Sequence, residues 1–83
     1  MNDPIEILAE FLRNETGHSG PFAADEDLLE AGVLDSFNIV ALAMFAQERF
    51  DVEFEGEEMI RENLATLSAL AALIRAKQAA AAP

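Results

Sequence analysis

Within residues 37–50, apolar side chains occupy two opposed faces of a single helical pattern, and this constrains the fold more than any other segment. At about 100° per residue, Ile39, Leu42, Ala43, Ala46 and Phe50 share one face, while Phe37, Val40, Ala41 and Met44 fall nearly opposite. Polar residues are confined to Asn38, Gln47, Glu48 and Arg49. A surface helix of a globular domain shows one apolar stripe. This helix is therefore either enclosed on both sides or meets something outside the domain.

The rest of the chain decides between these options. Its 83 residues allow one domain. Asp3 and Pro4 open a first helix, with Glu6 completing a capping-box pattern and Ile5, Leu8, Phe11 and Leu12 as its apolar stripe. It is expected to stop near Asn14. Residues 16–35 form a long connection broken by Gly17, Gly20 and Pro21, with Phe22, Leu28, Leu29, Val33 and Leu34 as anchors. A single turn is expected over residues 27–31, closed by Gly32. Asp35 caps the second helix. Val52 and Phe54 alternate in an acidic stretch with no second strand to pair with, so it reads as an extended loop. A short third helix is expected at residues 57–61 with Met59 and Ile60 inward. Thr66 caps a last helix through about Lys77, with Leu67, Leu70, Ala71 and Ile74 inside and Arg75 and Lys77 in its last turn.

The expected fold is all-α: three main helices plus one short one, a bundle with a long first loop, over residues 1–78, followed by an Ala-rich flexible tail at 79–83. Three helices cannot enclose a fourth. Phe37, Val40, Ala41 and Met44 are thus expected to stay exposed beside Ser36 as an interaction surface, where a methionine suits a face that fits several partners.

Sixteen acidic against five basic side chains give a net charge of −11. Such a field disfavours nucleic acid and anionic membranes and attracts basic protein surfaces. Residues 25–35 carry five acids and no base; residues 48–62 carry seven against Arg49 and Arg61. These clusters are expected to repel each other. No leader pattern and no apolar run near the roughly 20 residues of a membrane span is visible, which gives a cytoplasmic location as the expectation.

The absence of cysteine removes disulfides, thiolate metal sites and thiol catalysis. Asp25 and Asp27 lack the remaining ligands of a calcium loop, since Leu29 stands at the next alternate position. No metal site is assigned. Ser36 as a hydrolase nucleophile would need a histidine base, and the one histidine, His18, sits in a Ser/Gly-rich stretch. No catalytic residue is assigned, and the chain reads as no enzyme. A phosphodiester on Ser36, by contrast, would meet a helix N-terminus, whose N–H groups and dipole favour an anion. A flexible thiol-ended arm there would supply the reactive group that the chain lacks.

The run Asp27-Leu28-Leu29-Glu30-Ala31-Gly32-Val33-Leu34-Asp35-Ser36-Phe37, with Phe50-Asp51-Val52 after it, resembles the phosphopantetheine attachment region of acyl and peptidyl carrier proteins. The order of helices and loops extends the likeness over nearly the whole chain. The resemblance implies a covalent 4'-phosphopantetheine on Ser36, attached from coenzyme A by a phosphopantetheinyl transferase with a divalent metal that Asp35 helps to position. It implies cargo held as a thioester, an acyl- or aminoacyl-loading ligase, and a downstream transferase or synthase, with Phe37, Val40, Ala41, Met44 and Glu48 facing partner enzymes. Gly32-Val33-Leu34-Asp35 replaces the Gly-Ala-Asp common in primary fatty-acid carriers, and Asn38, Ala41 and Gln47 stand where those carry charge. That version is more similar to stand-alone D-alanyl, aminoacyl and specialised-pathway carriers. The chain is thus expected to be a free-standing monomeric carrier. The alternative is an unmodified helical adaptor that binds a basic partner through the Phe37/Met44 face.

Overall fold

The computed structural model describes residues 3–17 and 22–81; His18, Gly20 and Pro21 lie outside them. Helix α1 spans Pro4–Thr16. The Asp3 carboxylate accepts the Ile5 N–H at 2.9 Å and Pro4 occupies the first helical position, the capped start that the sequence predicts. The helix runs two residues beyond Asn14. The Thr16 hydroxyl donates back to the Leu12 carbonyl at 2.7 Å, and Gly17 ends the helix at φ 78°, donating to the Arg13 carbonyl.

The connection from α1 is held by named contacts. Leu28 donates to the Ala65 carbonyl and Ser68 to the Ala24 carbonyl, both at 2.8 Å, which fastens the loop to the start of the last helix. The expected turn is present: Ala31 donates to the Asp27 carbonyl, and Gly32 adopts φ 80°. The Leu28 carbonyl then accepts from both Val33 and Leu34, at 2.9 and 3.0 Å. Leu28, Val33 and Leu34 are buried in the core.

Helix α2 spans Asn38–Phe50 and packs on α1. Asp51 closes it in the left-handed region, at φ 55°. Val52 and Phe54 tack the following loop to the core, and no strand occurs among the described residues. The third helix differs from expectation. A single 3-10 turn at Gly56–Glu58 is closed by a capping box between Glu55 and Glu58. The backbone becomes extended at Ile60 (φ −116°, ψ 159°), and α3 starts afresh at Arg61–Leu64. This reset turns Leu64 inward and leaves Met59 and Ile60 exposed, the reverse of their expected placement.

Thr66 caps the last helix, α4 (Leu67–Ala81), by accepting the Ala69 N–H at 3.1 Å. Leu67, Leu70, Ala71 and Ile74 are buried, as their spacing predicts. The helix continues past Lys77 into the alanine run, the strongest helix-forming composition available. Arg75 and Lys77 are therefore interior to it. Lys77 pairs with Glu58 and Arg75 with Asp3, at 2.5 and 3.6 Å. α1 packs on α2 and α4, and α3 on α4. Leu8, Leu12, Leu28, Leu42, Leu67, Leu70 and Ile74 fill the centre, each contributing about 1.5–3 kcal/mol of burial. The result is the all-α bundle expected.

Candidate functional site

The site is built by a change in burial along five residues. Val33 and Leu34 are buried, and Asp35, Ser36 and Phe37 are exposed. The loop thus drives two apolar side chains into the core and lifts the next three residues out of it. Asp35 caps the turn as expected, but the regular helix starts only at Asn38. One Asp35 carboxylate oxygen, Oδ1, accepts the N–H groups of Phe37 and Asn38, both at 2.9 Å. The Asp35 carbonyl accepts the Ile39 N–H at 3.0 Å.

This corrects one expectation. The Phe37 and Asn38 N–H groups at the head of α2 do not stand open for a phosphate, because the Asp35 carboxylate already occupies them. What the turn offers is a solvent-facing primary alcohol. Among the described residues, no hydrogen bond engages the Ser36 hydroxyl and no basic side chain bonds to it. None of the described residues activates Ser36 as a nucleophile. The residues fit a covalent prosthetic group in one respect: an accessible hydroxyl on a capped turn, with one oxygen of the neighbouring aspartate spoken for.

Asn38 is the residue that sequence reasoning undervalued, reading it only as a missing charge. Its Oδ1 accepts the Asp35 N–H at 2.6 Å and its Nδ2 donates to the Val33 carbonyl at 3.1 Å. The available signal was the Asp-x-x-Asn spacing, a variant of the reciprocal capping box.

The two faces of α2 separate as the helical wheel predicts. Leu42, Ala43 and Ala46 are buried; Phe37 is 86% exposed, Met44 59% and Val40 49%. Ala41 is half-buried and Glu48 exposed. Phe45, which the wheel left unassigned, stacks on Phe11 with ring centroids 4.2 Å apart. Among the described residues, open depressions lie elsewhere: one of about 240 Å³ is lined by Ile7, Glu10, Phe11, Asn14 and Phe45, another of about 400 Å³ by Asp51, Val52, Glu53, Lys77 and Ala80. Ser36 lines neither.

Among the described residues, no group of three or more His, Asp or Glu side chains is arranged to hold a metal ion. Asp27 is engaged internally: Oδ1 accepts the Glu30 N–H and Oδ2 receives Arg61 at 2.8 Å. The Glu30 N–H, with help from Arg61, holds the Asp27 carboxyl below its ordinary range against a smaller opposing effect of burial. No helix among the described residues is long and apolar enough to cross a membrane.

Residues 5–74 match the family described as phosphopantetheine attachment site. The chain is 36% identical over 62 residues to the D-alanyl carrier proteins of Bacillus cereus (strains B4264 and AH187) and of Bacillus anthracis (strain CDC 684 / NRRL 3495), covering 75% of this chain and 75% of each relative. No solved structure matches.

Proposed function

The chain belongs to the phosphopantetheine attachment site family, and from that premise we propose that it is a free-standing carrier whose prosthetic arm is borne by Ser36. It is a carrier protein, similar to D-alanyl carriers, that serves as the substrate of other enzymes and is not itself a catalyst. Its family is the site of covalent 4'-phosphopantetheine attachment. The observation that carries the choice of Ser36 is its exposed, unbonded hydroxyl on the Asp35-capped turn at the head of α2.

In the loading step the Ser36 oxygen forms a bond to the pantetheine-bearing phosphorus of coenzyme A. The pyrophosphate bond breaks, adenosine 3',5'-bisphosphate leaves, and the serine proton passes to the transferase or to solvent. The arm supplies the thiol on which cargo rides as a thioester. Asp35 Oδ1 holds the turn, and the Asp35 carboxylate would help to hold the divalent metal of the transferase, which would supply charge stabilisation there.

The cargo proposed is an amino acid or a short acyl group, with D-alanine the first candidate because the relatives carry that name. The partners are a phosphopantetheinyl transferase, a loading ligase and a downstream transferase or synthase. They meet the face of Phe37, Val40, Ala41, Met44 and Glu48. The protein works as a cytoplasmic monomer.

The test incubates the apo protein with coenzyme A, magnesium and a broad-specificity transferase and reads the intact mass. Wild type gains one phosphopantetheine and Ser36→Ala gains none. A wild type that stays unmodified, or a Ser36→Ala variant that is modified, defeats the reading. The exposed Phe37 and Met44 also suit an unmodified adaptor; for that, Ser36→Ala would leave function intact while Met44→Glu abolished it.

A further inference from the structure

We propose that Asn38 is a positioning residue for transfer onto Ser36: its side-chain amide locks the exposed Asp35–Phe37 turn to the buried loop and so holds the hydroxyl ready for the transferase. The inference rests on the reading of Ser36 as the attachment residue.

Three bonds make the lock. Asn38 Oδ1 accepts the Asp35 N–H at 2.6 Å, Asn38 Nδ2 donates to the Val33 carbonyl at 3.1 Å, and Asp35 Oδ1 accepts the Asn38 N–H at 2.9 Å. Two join Asn38 and Asp35 reciprocally. The third reaches past the turn to Val33, which is only 7% exposed and belongs to the core. Ser36 lies inside the loop these bonds close, while its own side chain takes part in none of them.

The role needs both ends of a carboxamide, one accepting and one donating. Alanine supplies neither. Aspartate, of the same size, keeps the acceptor for the Asp35 N–H but cannot donate to Val33, and it sets a second negative charge beside Asp35. Without the lock, an exposed turn with no side chain in the core must be ordered when the transferase binds, and that cost falls on binding. A group that pre-orders the turn therefore acts on KM. It has no means of acting on the chemical step, since it does not touch the reacting oxygen.

The experiment uses the full-length apo chain as wild type, Asn38→Ala and Asn38→Asp. Amide hydrogen exchange of the Asp35 N–H is followed by NMR, and transferase kinetics are measured with coenzyme A and magnesium. In Asn38→Ala the Asp35 amide exchanges about 10-fold faster, and KM for the carrier rises about 3- to 10-fold with kcat nearly unchanged. Asn38→Asp recovers the Asp35 protection and part of the KM. Should Asn38→Ala fail to fold, Asn38→Asp still reads the proposal, through an Asp35 amide as protected as in wild type and a KM above it.

Asp35 exchange unaltered in Asn38→Ala overturns the lock, even if KM rises, because residue 38 would then be touching the transferase directly. An unaltered KM, or a loss confined to kcat, also overturns it. A wild type that is never modified defeats the assignment of Ser36 and this proposal together, whereas a wild type and Asn38→Ala modified with equal KM defeat this proposal alone.

Discussion

Arg61 Nη2 lies 2.8 Å from Asp27 Oδ2, so a cation carried by one acidic segment is seated on the other. Glu30 Oε2 is 3.7 Å from the same nitrogen. The two clusters that the sequence sets in mutual repulsion are thus joined at one point, and that point ties the loop before Ser36 to α3. Both partners are about half exposed, so the pair is weak and salt-sensitive. Arg61→Ala is expected to melt below wild type at about 20 mM salt and to gain more from a rise to about 500 mM, because its like charges are then unopposed. Melting curves at both salts check this; equal gains in the two proteins would show that the clasp does not offset the repulsion.

Acid should act on two carboxylates before it acts on the core. The Asp27 carboxyl is lowered chiefly by the Glu30 N–H and then by Arg61; the Glu58 carboxyl is lowered chiefly by Lys77 and then by the Glu55 N–H. A carboxylate lowered on folding adds stability that is present above its unfolded value, about 4, and is lost as pH falls through the folded one. Asp27→Asn and Glu58→Gln are therefore less stable than wild type at pH near 7, and the difference closes below about pH 4. Lys77 is raised, chiefly by Glu58. Its contribution is present below its unfolded value of about 10.5 and fades as pH rises through the folded one. Denaturant midpoints across pH measure both windows.

Phe45 stacks on Phe11 with planes 13° apart and joins α2 to α1 from a half-buried position. Phe45→Ala is expected to cost about 2–3 kcal/mol. A double-mutant cycle with Phe11→Ala should return a coupling of about 1 kcal/mol. Strictly additive losses would mean that the rings contribute by burial alone.

Asp51 holds φ 55° at the C-terminus of α2, where its N–H bonds the Gln47 carbonyl. A side chain there is strained, and a negative charge opposes the helix dipole. Asp51→Gly is expected to raise stability by about 0.5–1 kcal/mol. Chemical denaturation reads the change, and a loss of stability would show that the aspartate serves an interaction its exposure conceals.

Met44 is exposed on the face of α2 turned away from the core. Met44→Glu is expected to leave the melting temperature within about 2 °C of wild type, as for other surface changes. It should lower kcat/KM for the loading ligase by about 10-fold or more. An unchanged ligase rate would move the partner surface elsewhere, with exposed Met59 and Ile60 the next residues to test.

Where the chain alone was sufficient, the signals were local and periodic. Asp3 and Thr66 cap their helices through bonds to N–H groups two or three residues away, and Gly32 takes the positive φ that its turn requires. The two-faced pattern of residues 37–50 separated Leu42, Ala43 and Ala46 from Phe37 and Met44 because a helical wheel needs only the 3.6-residue period. The placement of Ser36 beside the exposed face was legible for the same reason. Tertiary structure decided what depends on residues far apart in the chain. Met59 and Ile60 face outward because the Glu55–Glu58 box ends its turn early and α3 restarts with Leu64 toward the core. Arg61 finds Asp27 across 34 positions of sequence, and Phe45 finds Phe11. The Asn38 lock on the Ser36 turn has its own spacing in the sequence, but it reaches Val33 only because packing first buries that residue and aims its carbonyl back at the turn.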